Sequence, residues 1–330
     1  MPEWLYEEGI GENRAALVTD GAIIEAAIEL PGLLRAGSVL DGRLAAILIA
    51  GRRGIVRLRD GGEALLEPLP AGLTEGSAVR VEIVREAISE SGRDKLPKCR
   101  LSEAEPRPGP TLLDRIGRGD EPVTVLAAHQ PDLLEEAGWS ELIEQAMVGD
   151  FLFEGGALRM SLTPAMTLFD VDGALPPPAL AVVGAAAAGR AIRRLGIGGS
   201  IGIDLPTLPA KADRQAAAAA LDAALPQPFE RTAVNGFGFL QLVRRRERPS
   251  LPDLLQGEPA GAAARALIRR AERSQGSGER TLRATPAVIA RIERHPEWIE
   301  ALARRLGAPV ALHAEAGLAI SAGHVQSRFA

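Results

Sequence analysis

Apolar and polar positions alternate along several short segments in the N-terminal third of the chain, a pattern typical of half-buried β-strands. Residues 15–19 and 23–29 are predicted to form a hairpin around Asp20-Gly21. Further short apolar segments recur between turns that contain glycine or proline, at 44–49, 54–58, 64–66 and 78–84. Short strands at such regular spacing predict a small β-barrel over 37–103.

After a proline-rich linker at 103–110, the pattern changes to alternating strands and helices. Strands are predicted at 124–127, 157–162, 166–171, 200–203 and 238–243, and helices at 139–147, 179–195 and 211–225. A last module is predicted with helices at 261–273 and 286–306 and strands at 281–284, 309–313 and 317–321. Strands and helices mixed in this order predict an α+β protein with several domains.

Two of the predicted strands end in aspartates, which are Asp170 and Asp172 on one strand and Asp204 on the other. Because the helix at 179–195 joins these strands, we expect them to be parallel, with their carboxyl ends at one edge of a sheet. Neighbouring carboxylates repel each other, and a divalent cation relieves that repulsion. Mg²⁺ fits best, since it takes one or two carboxylates, several waters and phosphate oxygens. Asp170 and Asp204 are therefore predicted metal ligands; the alternative is that these acids cap loops and turns.

The charge balance restricts how this chain could bind nucleic acid. Its 38 Lys+Arg and 43 Asp+Glu give a net charge of −5 over 330 residues, which argues against indiscriminate coating of nucleic acids or acidic membranes. The 46% apolar content excludes a largely disordered chain. Nearly all cations are arginines, whose guanidinium groups suit bidentate contact with phosphate.

Two groups of cations are candidates for RNA contact. The first follows the strand at 238–243 and comprises Arg244, Arg245, Arg246 and Arg248; the second ends the barrel and comprises Lys95, Lys98 and Arg100. The first group is interpreted as lying next to the acidic metal site, where guanidinium groups would neutralise phosphates. Either group could instead be a solvated loop or a charged hairpin rim. Phe237 could stack on a base or fill the core.

Other functional classes find little support in the sequence. The lone Cys99 excludes an intramolecular disulfide and a multi-cysteine zinc site, and the four histidines are scattered. The N-terminus lacks the basic and apolar regions of a secretory signal. The longest uncharged apolar run, at 173–189, contains three prolines and is too short to span a bilayer. We therefore expect a cytoplasmic protein without a membrane partner, and its oligomeric state stays open.

Three segments, in this order, resemble the catalytic core of the ribonuclease E/G family. They are EGGALRMSLTPAMTLFDVD at 154–172, LGIGGSIGID at 195–204 and NGFGFLQLVRRRERPSL at 235–251. The resemblance implies a Mg²⁺-dependent endoribonuclease that hydrolyses phosphodiester bonds of single-stranded RNA or RNA precursors with metal-activated water. It also implies that Asp170 and Asp204 hold the metal ion. Asp172 stands where the family has an asparagine that supports the first aspartate, and counts as a third catalytic candidate.

The same resemblance implies an organisation into domains. Residues 149–256 would be a DNase I-like α/β catalytic subdomain, and 257–330 a small C-terminal α+β domain. Residues 37–103 would be an S1-like (OB) barrel, inserted in a reduced RNase H-like unit that comprises the N-terminal hairpin at 1–36 and the remainder at 104–148.

Several departures from the family pattern modify these expectations. No cysteines follow the third segment, so neither zinc nor zinc-linked pairing of subunits is expected. The chain passes from Ser102 to Thr111 without room for a 5′-monophosphate sensor, so sensing of the RNA 5′ end is not expected. Ile55 and Leu65 stand where the family presents stacking phenylalanines on its barrel. These losses leave an alternative open, which is a non-catalytic RNA-binding or assembly protein on a nuclease scaffold.

Overall fold

The N-terminal segment forms three neighbouring strands in the computed structural model, which describes residues 1–90 and 93–329. They are β1 (Glu3–Glu8), β2 (Asn13–Thr19) and β3 (Ala22–Glu29). The predicted hairpin is confirmed: Asp20 and Gly21 between β2 and β3 have φ of 51° and 76°, positive values that a type I′ turn requires. β1 is missing from the sequence prediction because its central residues are buried on both faces and do not alternate.

The next segment closes into a five-stranded barrel. Its elements are β4 (Val39–Ile49), β5 (Arg53–Leu58), β6 (Glu63–Leu66), β7 (Ala78–Arg85), a ribbon of β8 (Ile88–Glu90) and β9 (Arg93–Lys95), and β10 (Lys98–Leu101). β10 completes the barrel by pairing with both β6 and β7. Leu44, Val56 and Leu66 fill its interior together with Cys99. The predicted small barrel is confirmed, and its closed five-stranded form is compatible with an OB-like fold.

After the barrel, the chain returns to the first sheet. The helix α1 (Leu112–Ile116) leads to β11 (Val123–Leu126), which pairs in parallel with β1 and completes the order β11-β1-β2-β3. The barrel is therefore inserted in the sequence between two strands of one sheet. The predicted linker at 103–110 pairs with the barrel through an isolated antiparallel β-bridge between Val39 and Arg107.

The following segment builds a six-stranded sheet. Its elements are α2 (Leu133–Glu136), α3 (Trp139–Val148), β12 (Asp150–Phe153), β13 (Gly156–Leu162), β14 (Thr167–Gly173), α4 (Pro177–Arg194), β15 (Gly199–Asp204), α5 (Lys211–Ala224), β16 (Glu230–Arg231) and β17 (Phe239–Arg244). The strand order is β12-β13-β14-β15-β17-β16. β14 and β15 are parallel, as predicted from the helix that joins them, whereas β17 runs antiparallel to β15.

One face of this sheet is buried under helices that are rich in alanine. Phe169 and Val171 of β14 point into the same core as α4 and α5. A Cβ atom on Gly184 of α4 would lie 2.4 Å from Cγ1 of Val171, so only glycine allows the helix to approach this closely. On the other face of the sheet, Arg159, Asp170 and Asp204 are exposed, so side chains on that face are available for chemistry.

The last segment adds a three-stranded sheet and four helices. Its elements are α6 (Leu251–Gly257), α7 (Pro259–Glu272), β18 (Ser277–Ala284), α8 (Pro286–Glu293), α9 (Pro296–Leu306), β19 (Val310–Ala314) and β20 (His324–Phe329). The single helix predicted at 286–306 is wrong: Pro296 lacks an N–H and forces His295 out of helical conformation, so the helix divides there. The strand predicted at 317–321 is also wrong, since Gly317 lies in a turn with φ of 97° and the strand follows later, as β20.

A buried ion network joins this last segment to the first sheet. Its members are Glu7, Glu12, Arg14, Arg265, Arg269 and Arg273. Arg14 is fully buried, with Nη1 2.5 Å from Glu7 Oε1 and Nε 2.8 Å from Glu12 Oε1. Arg265 and Arg269 of α7 and Arg273 just after it reach the same two carboxylates, so both acids in this network have more than one cationic partner.

Candidate functional site

The structure brings the three predicted aspartates together on the open face of the six-stranded sheet. In the parallel register of β14 and β15, Asp170 faces Asp204, and adjacent strands lie about 4.8 Å apart. Asp172 lies two residues further along β14, so strand alternation turns its side chain to the same face. All three residues are exposed. Asp170, Asp172 and Asp204 are called the acidic cluster below.

One cation and one ring flank this cluster in the same row of the sheet. Arg159 of β13 pairs with Asp170, and Phe239 of β17 pairs with Asp204. The sequence analysis missed Arg159, although it predicted the hairpin that contains it. Counting residues back from the turn at 163–166 would have placed Arg159 opposite Asp170, since directly opposed residues share a face.

The surroundings of Asp170 shift its pKa. Partial burial raises the pKa of Asp170, and the charges of Asp172 and Asp204 raise it further. The charge of Arg159 and a hydrogen bond from the Val171 N–H act in the opposite direction without offsetting the rise. No ion pair reaches the acidic cluster from any residue in the two described ranges. The cluster therefore carries negative charge that the chain itself leaves largely uncompensated.

This donor set fits Mg²⁺ better than it fits a metal that requires a full cage of protein ligands. Within residues 1–90 and 93–329, no three or more His, Cys, Asp or Glu side chains are arranged to hold a metal ion. Two facing carboxylates, Asp170 and Asp204, are the usual protein contribution to a Mg²⁺ site, because that ion keeps several waters and takes phosphate oxygens. The acidic cluster therefore suits a water-rich Mg²⁺ site open to solvent.

Gly202 shapes the floor beside the acidic cluster. A Cβ atom at Gly202 would lie 2.7 Å from Cζ of Phe239 and 2.8 Å from Cδ2 of Leu168. Because Gly202 has no side chain, the Phe239 ring and the Leu168 side chain can pack over β15, where they fill the sheet face next to Asp170 and Asp204. A larger residue at Gly202 would displace the ring from the row that holds the two carboxylates.

Phe237 lies at the same end of β17 as Phe239 and projects into solvent. Its side chain is 82% exposed, so the interpretation that it fills the core is wrong. The turn that presents it is fixed by Asn235, whose Oδ1 accepts hydrogen bonds from the N–H groups of Phe237 (2.9 Å) and Phe239 (3.0 Å). Phe237 thus presents an exposed aromatic ring two residues before Phe239, the residue that pairs with Asp204, and such a ring is a surface on which a base could stack.

The arginines that follow β17 do not lie next to the acidic cluster, so that prediction is wrong. β17 runs antiparallel to β15, with Phe239 opposite Asp204 and Arg244 opposite Gly199. At about 3.3 Å per residue, Arg244 is therefore about 17 Å from Asp204 along the sheet. The sequence places these arginines at the end of a strand but cannot show that the strand runs in the opposite direction.

Most of these arginines have carboxylate partners within the chain. Arg245 lies 2.9 Å from Glu247, Arg246 lies 2.8 Å from Asp253, and Arg248 contacts Glu247 at 3.1 Å and Glu86 at 3.3 Å. The contact with Glu86 ties the end of β7 to this segment, together with a backbone hydrogen bond from Glu86 N to Glu247 O. Arg248 therefore helps to attach the barrel to the six-stranded sheet.

The cations at the end of the barrel are also paired in part. Lys98 lies 2.8 Å from Glu67, and Arg100 lies 2.8 Å from Glu82; Lys95 lies in β9. For Lys98 and Arg100, these pairs are what a charged rim would show. Ile55 and Leu65 are cross-strand neighbours on the outside of the barrel and are half-buried. They offer an aliphatic surface where the family pattern has aromatic rings.

Comparison with known proteins adds no relative to this geometry. The chain matches no protein-family model, and a search of curated proteins finds no significant match. The resemblance to the ribonuclease E/G family thus depends on the three segments quoted above. Among the helices in the described part of the chain, none is both long and apolar enough to cross a membrane.

Proposed function

We propose that this protein is a Mg²⁺-dependent endoribonuclease of the ribonuclease E/G type. It would hydrolyse phosphodiester bonds of single-stranded RNA or RNA precursors. The observation that carries the proposal is the facing register of Asp170 and Asp204 on an open sheet face. Asp172 lies beside them, and Arg159 opposite Asp170 is near the cluster without forming an ion pair with it. Facing carboxylates repel each other, and a bound cation relieves that repulsion.

In this proposal Asp170 and Asp204 hold the Mg²⁺ ion, which when bound supplies an activated water and stabilises charge on the phosphate. Asp172 adds negative charge that strengthens retention of the ion. Arg159, on the other side of Asp170, can contact a phosphate oxygen of the strand. Phe237 gives a neighbouring base a ring to stack on, which contributes about 1–3 kcal/mol per base in comparable sites.

The fold is assigned in the same proposal. The sheet of β11, β1, β2 and β3 would be the reduced RNase H-like unit, and the inserted barrel its S1-like domain. The six-stranded sheet would be the DNase I-like catalytic subdomain, and the part from 257 onwards the small C-terminal domain. The position of the barrel between β3 and β11 supports this assignment.

Two expected absences belong to the proposal as well. No zinc site is expected, because Cys99 is the single cysteine and is buried in the barrel, where desolvation raises the pKa of its thiol to about 12. Cleavage is expected not to depend on the phosphorylation state of the RNA 5′ end, because the short connection from β10 to α1 leaves no room for a sensor segment.

A second candidate function is an RNA-binding or assembly protein without catalysis. The separation of the arginine segment from the acidic cluster by about 17 Å favours it, since the phosphate-binding cations then lie away from the carboxylates. This candidate predicts salt-sensitive RNA binding without turnover.

Cleavage of a labelled single-stranded RNA tests the proposal. With Mg²⁺ the protein should cut the strand internally, and EDTA should abolish the reaction. Asp170→Asn should lower the rate at least about 100-fold, because it removes one of two metal ligands. Asp60→Asn, in an exposed turn of the barrel, is the control and should cut at the original rate. Equal cleavage by Asp170→Asn and the unaltered protein would refute the metal site, and binding without any cleavage would favour the second candidate.

A further inference from the structure

A cleft of about 580 Å³ opens where β3, α1, the end of α4 and the segment after β17 meet. Six arginines from three separate parts of the chain line it: Arg115, Arg193, Arg244, Arg245, Arg246 and Arg248. Among the described residues, three carboxylates line the same cleft, Glu25, Glu121 and Glu247. Three more lie outside the lining and contact its arginines: Glu29 with Arg115, Glu86 with Arg248 and Asp253 with Arg246. The cleft surface is therefore rich in guanidinium groups, and part of their charge is compensated from outside the lining. This surface is called the arginine cleft below.

The first wall of the arginine cleft contains Arg244 and Arg193. Arg244 donates from Nη1 to the carbonyl oxygen of Ile197 at 3.1 Å, a neutral partner. Burial lowers the pKa of Arg244 and the charge of Arg193 lowers it further, whereas Glu25 acts in the opposite direction. Glu25 is 3.4 Å from Arg193, so one carboxylate serves two guanidinium groups.

Another part of the lining contains Arg115 of α1. Desolvation lowers its pKa to about 10, with the charge of Arg248 as the next cause. Its nearest carboxylate is Glu29, with Oε2 3.6 Å away, and that oxygen is buried without a hydrogen-bond partner. Glu86 contacts Arg248 from the barrel at 3.3 Å, and burial raises the pKa of Glu86. Arg244 and Arg193 are therefore the part of the cleft where two guanidinium groups share a single carboxylate, Glu25.

An anion with several oxygens would relieve this imbalance. Guanidinium groups bind phosphate oxygens in a fixed fork geometry, and contact with a charged acceptor is stronger than contact with a carbonyl. Leu112 and Ile116 form an apolar floor next to the charged walls. The volume lies within the range of about 300–1,000 Å³ that is usual for small-ligand pockets, which leaves room for a sugar or a base beside the phosphate.

We propose that the arginine cleft binds the phosphate groups of a nucleotide unit, at a site separate from the acidic cluster. The phosphate could belong to an RNA strand or to a free nucleotide. The RNA alternative rests on the proposed function, whereas phosphate binding itself does not require cleavage. On a long RNA, this site would hold the strand on the far side of the sheet from the point of hydrolysis.

Two probes test the arginine cleft in the full-length Asp170→Asn protein with EDTA, so that neither metal nor turnover contributes. Inorganic pyrophosphate is titrated by calorimetry, and a fluorescein-labelled oligouridine is titrated by anisotropy at several salt concentrations. Arg244→Gln should weaken pyrophosphate binding about tenfold and reduce the slope of log affinity against log salt for the oligouridine by about one. Arg304→Gln, which removes an exposed arginine on α9, is the matched control and should change neither.

The outcomes distinguish an RNA strand from a free nucleotide as the source of the phosphate. They also distinguish failure of the arginine cleft from failure of the proposed function. Displacement of the oligouridine by pyrophosphate identifies the RNA strand as a ligand of the cleft, and pyrophosphate binding without displacement identifies a free nucleotide or phosphate. If Arg244→Gln does not fold, as judged by circular dichroism, Arg193→Gln replaces it with the same expectations. Unchanged binding of both probes in a folded cleft variant overturns the proposal, whatever the cleavage assay shows. Conversely, loss of binding in the cleft variant supports the proposed phosphate site even if the unaltered protein cuts no RNA.

Discussion

Two groups of carboxylates in this protein show opposite electrostatics. In the buried ion network, Glu7 is contacted by Arg14, Arg269 and Arg273, and these cations lower its pKa to about 2 despite desolvation. In the acidic cluster, Asp170 is more exposed, yet burial and two neighbouring carboxylates raise its pKa. Water should favour the charge of Asp170 more than that of Glu7. The difference therefore comes from partners, which the fold supplies in one region and leaves out in the other.

The carboxylates of the buried ion network stabilise the fold, whereas those of the acidic cluster are exposed and available to a ligand. A buried acid with several guanidinium partners has no capacity left for a metal ion. An exposed acid next to other acids gains from any cation that arrives. Three expected results follow, and each would sharpen or break the distinction.

The largest effect on stability is expected from Glu7→Gln. The change leaves Arg14, Arg269 and Arg273 buried without their shared counter-charge, and breaking such a pair costs about 3–5 kcal/mol of unfolding free energy. Urea unfolding measures it. Glu63→Gln, which removes an exposed partner of Arg57 on the barrel, is the control and should cost no more than about 1 kcal/mol. Equal losses in the two variants would show that the buried network contributes no more than a surface pair.

A smaller effect is expected on the dependence of stability on pH. The folded-state pKa of Glu7 is about 2, below its ordinary value of 4.5, so its contribution is present above about pH 4.5 and is lost as the pH falls toward 2. Over that range, the stability difference between the unaltered protein and Glu7→Gln should shrink by about 3 kcal/mol. Urea midpoints at several acidic pH values test this, and a constant difference would contradict the low pKa.

The smallest effect concerns the acidic cluster and has the opposite sign. Without metal, Asp170→Asn should be as stable as the unaltered protein or slightly more stable, since it removes repulsion from Asp172 and Asp204. Mg²⁺ at about 100 times its dissociation constant should stabilise the unaltered protein by about 2.7 kcal/mol, and Asp170→Asn should lose most of this gain. Thermal unfolding with Mg²⁺ and with EDTA gives both quantities. Marked destabilisation of the metal-free variant would place Asp170 with the structural carboxylates instead.

The acidic cluster was the part of the site that sequence could predict, for a topological reason. A helix that joins two adjacent strands of a sheet makes them parallel, so aspartates at the ends of β14 and β15 had to meet. That rule needs only the order of elements and the alternation of strand side chains. It says nothing about β17, which reaches the sheet through a longer connection and runs the other way. The distance between Arg244 and Asp204 therefore depended on a strand direction that the local pattern does not encode.

Other features depend on contacts between distant parts of the chain. Arg269 in α7 and Arg273 just after it lie more than two hundred residues beyond their partner Glu7. Arg115 lies near Arg248 in the arginine cleft, more than one hundred residues apart in the sequence. Amphipathic spacing shows that such residues are on a helix but not which carboxylates they will meet. One local helix-breaking signal was also missed: His295-Pro296 divides the predicted helix at 286–306.

The insertion of the barrel between β3 and β11 also constrains the order of events during synthesis on the ribosome. β1 and β2 emerge early, yet the parallel neighbour of β1 emerges only after the whole barrel. The barrel has all of its own strands by residue 101, so it can close while the first sheet still exposes one edge of β1. Two of the three arginines that contact Glu7, Arg269 and Arg273, emerge later still, whereas Arg14 emerges with β2. The nascent chain thus carries an unpaired edge of β1 until β11 has emerged, and Glu7 lacks two of its cationic partners until α7 has left the ribosome. Chaperones would be needed most in that interval.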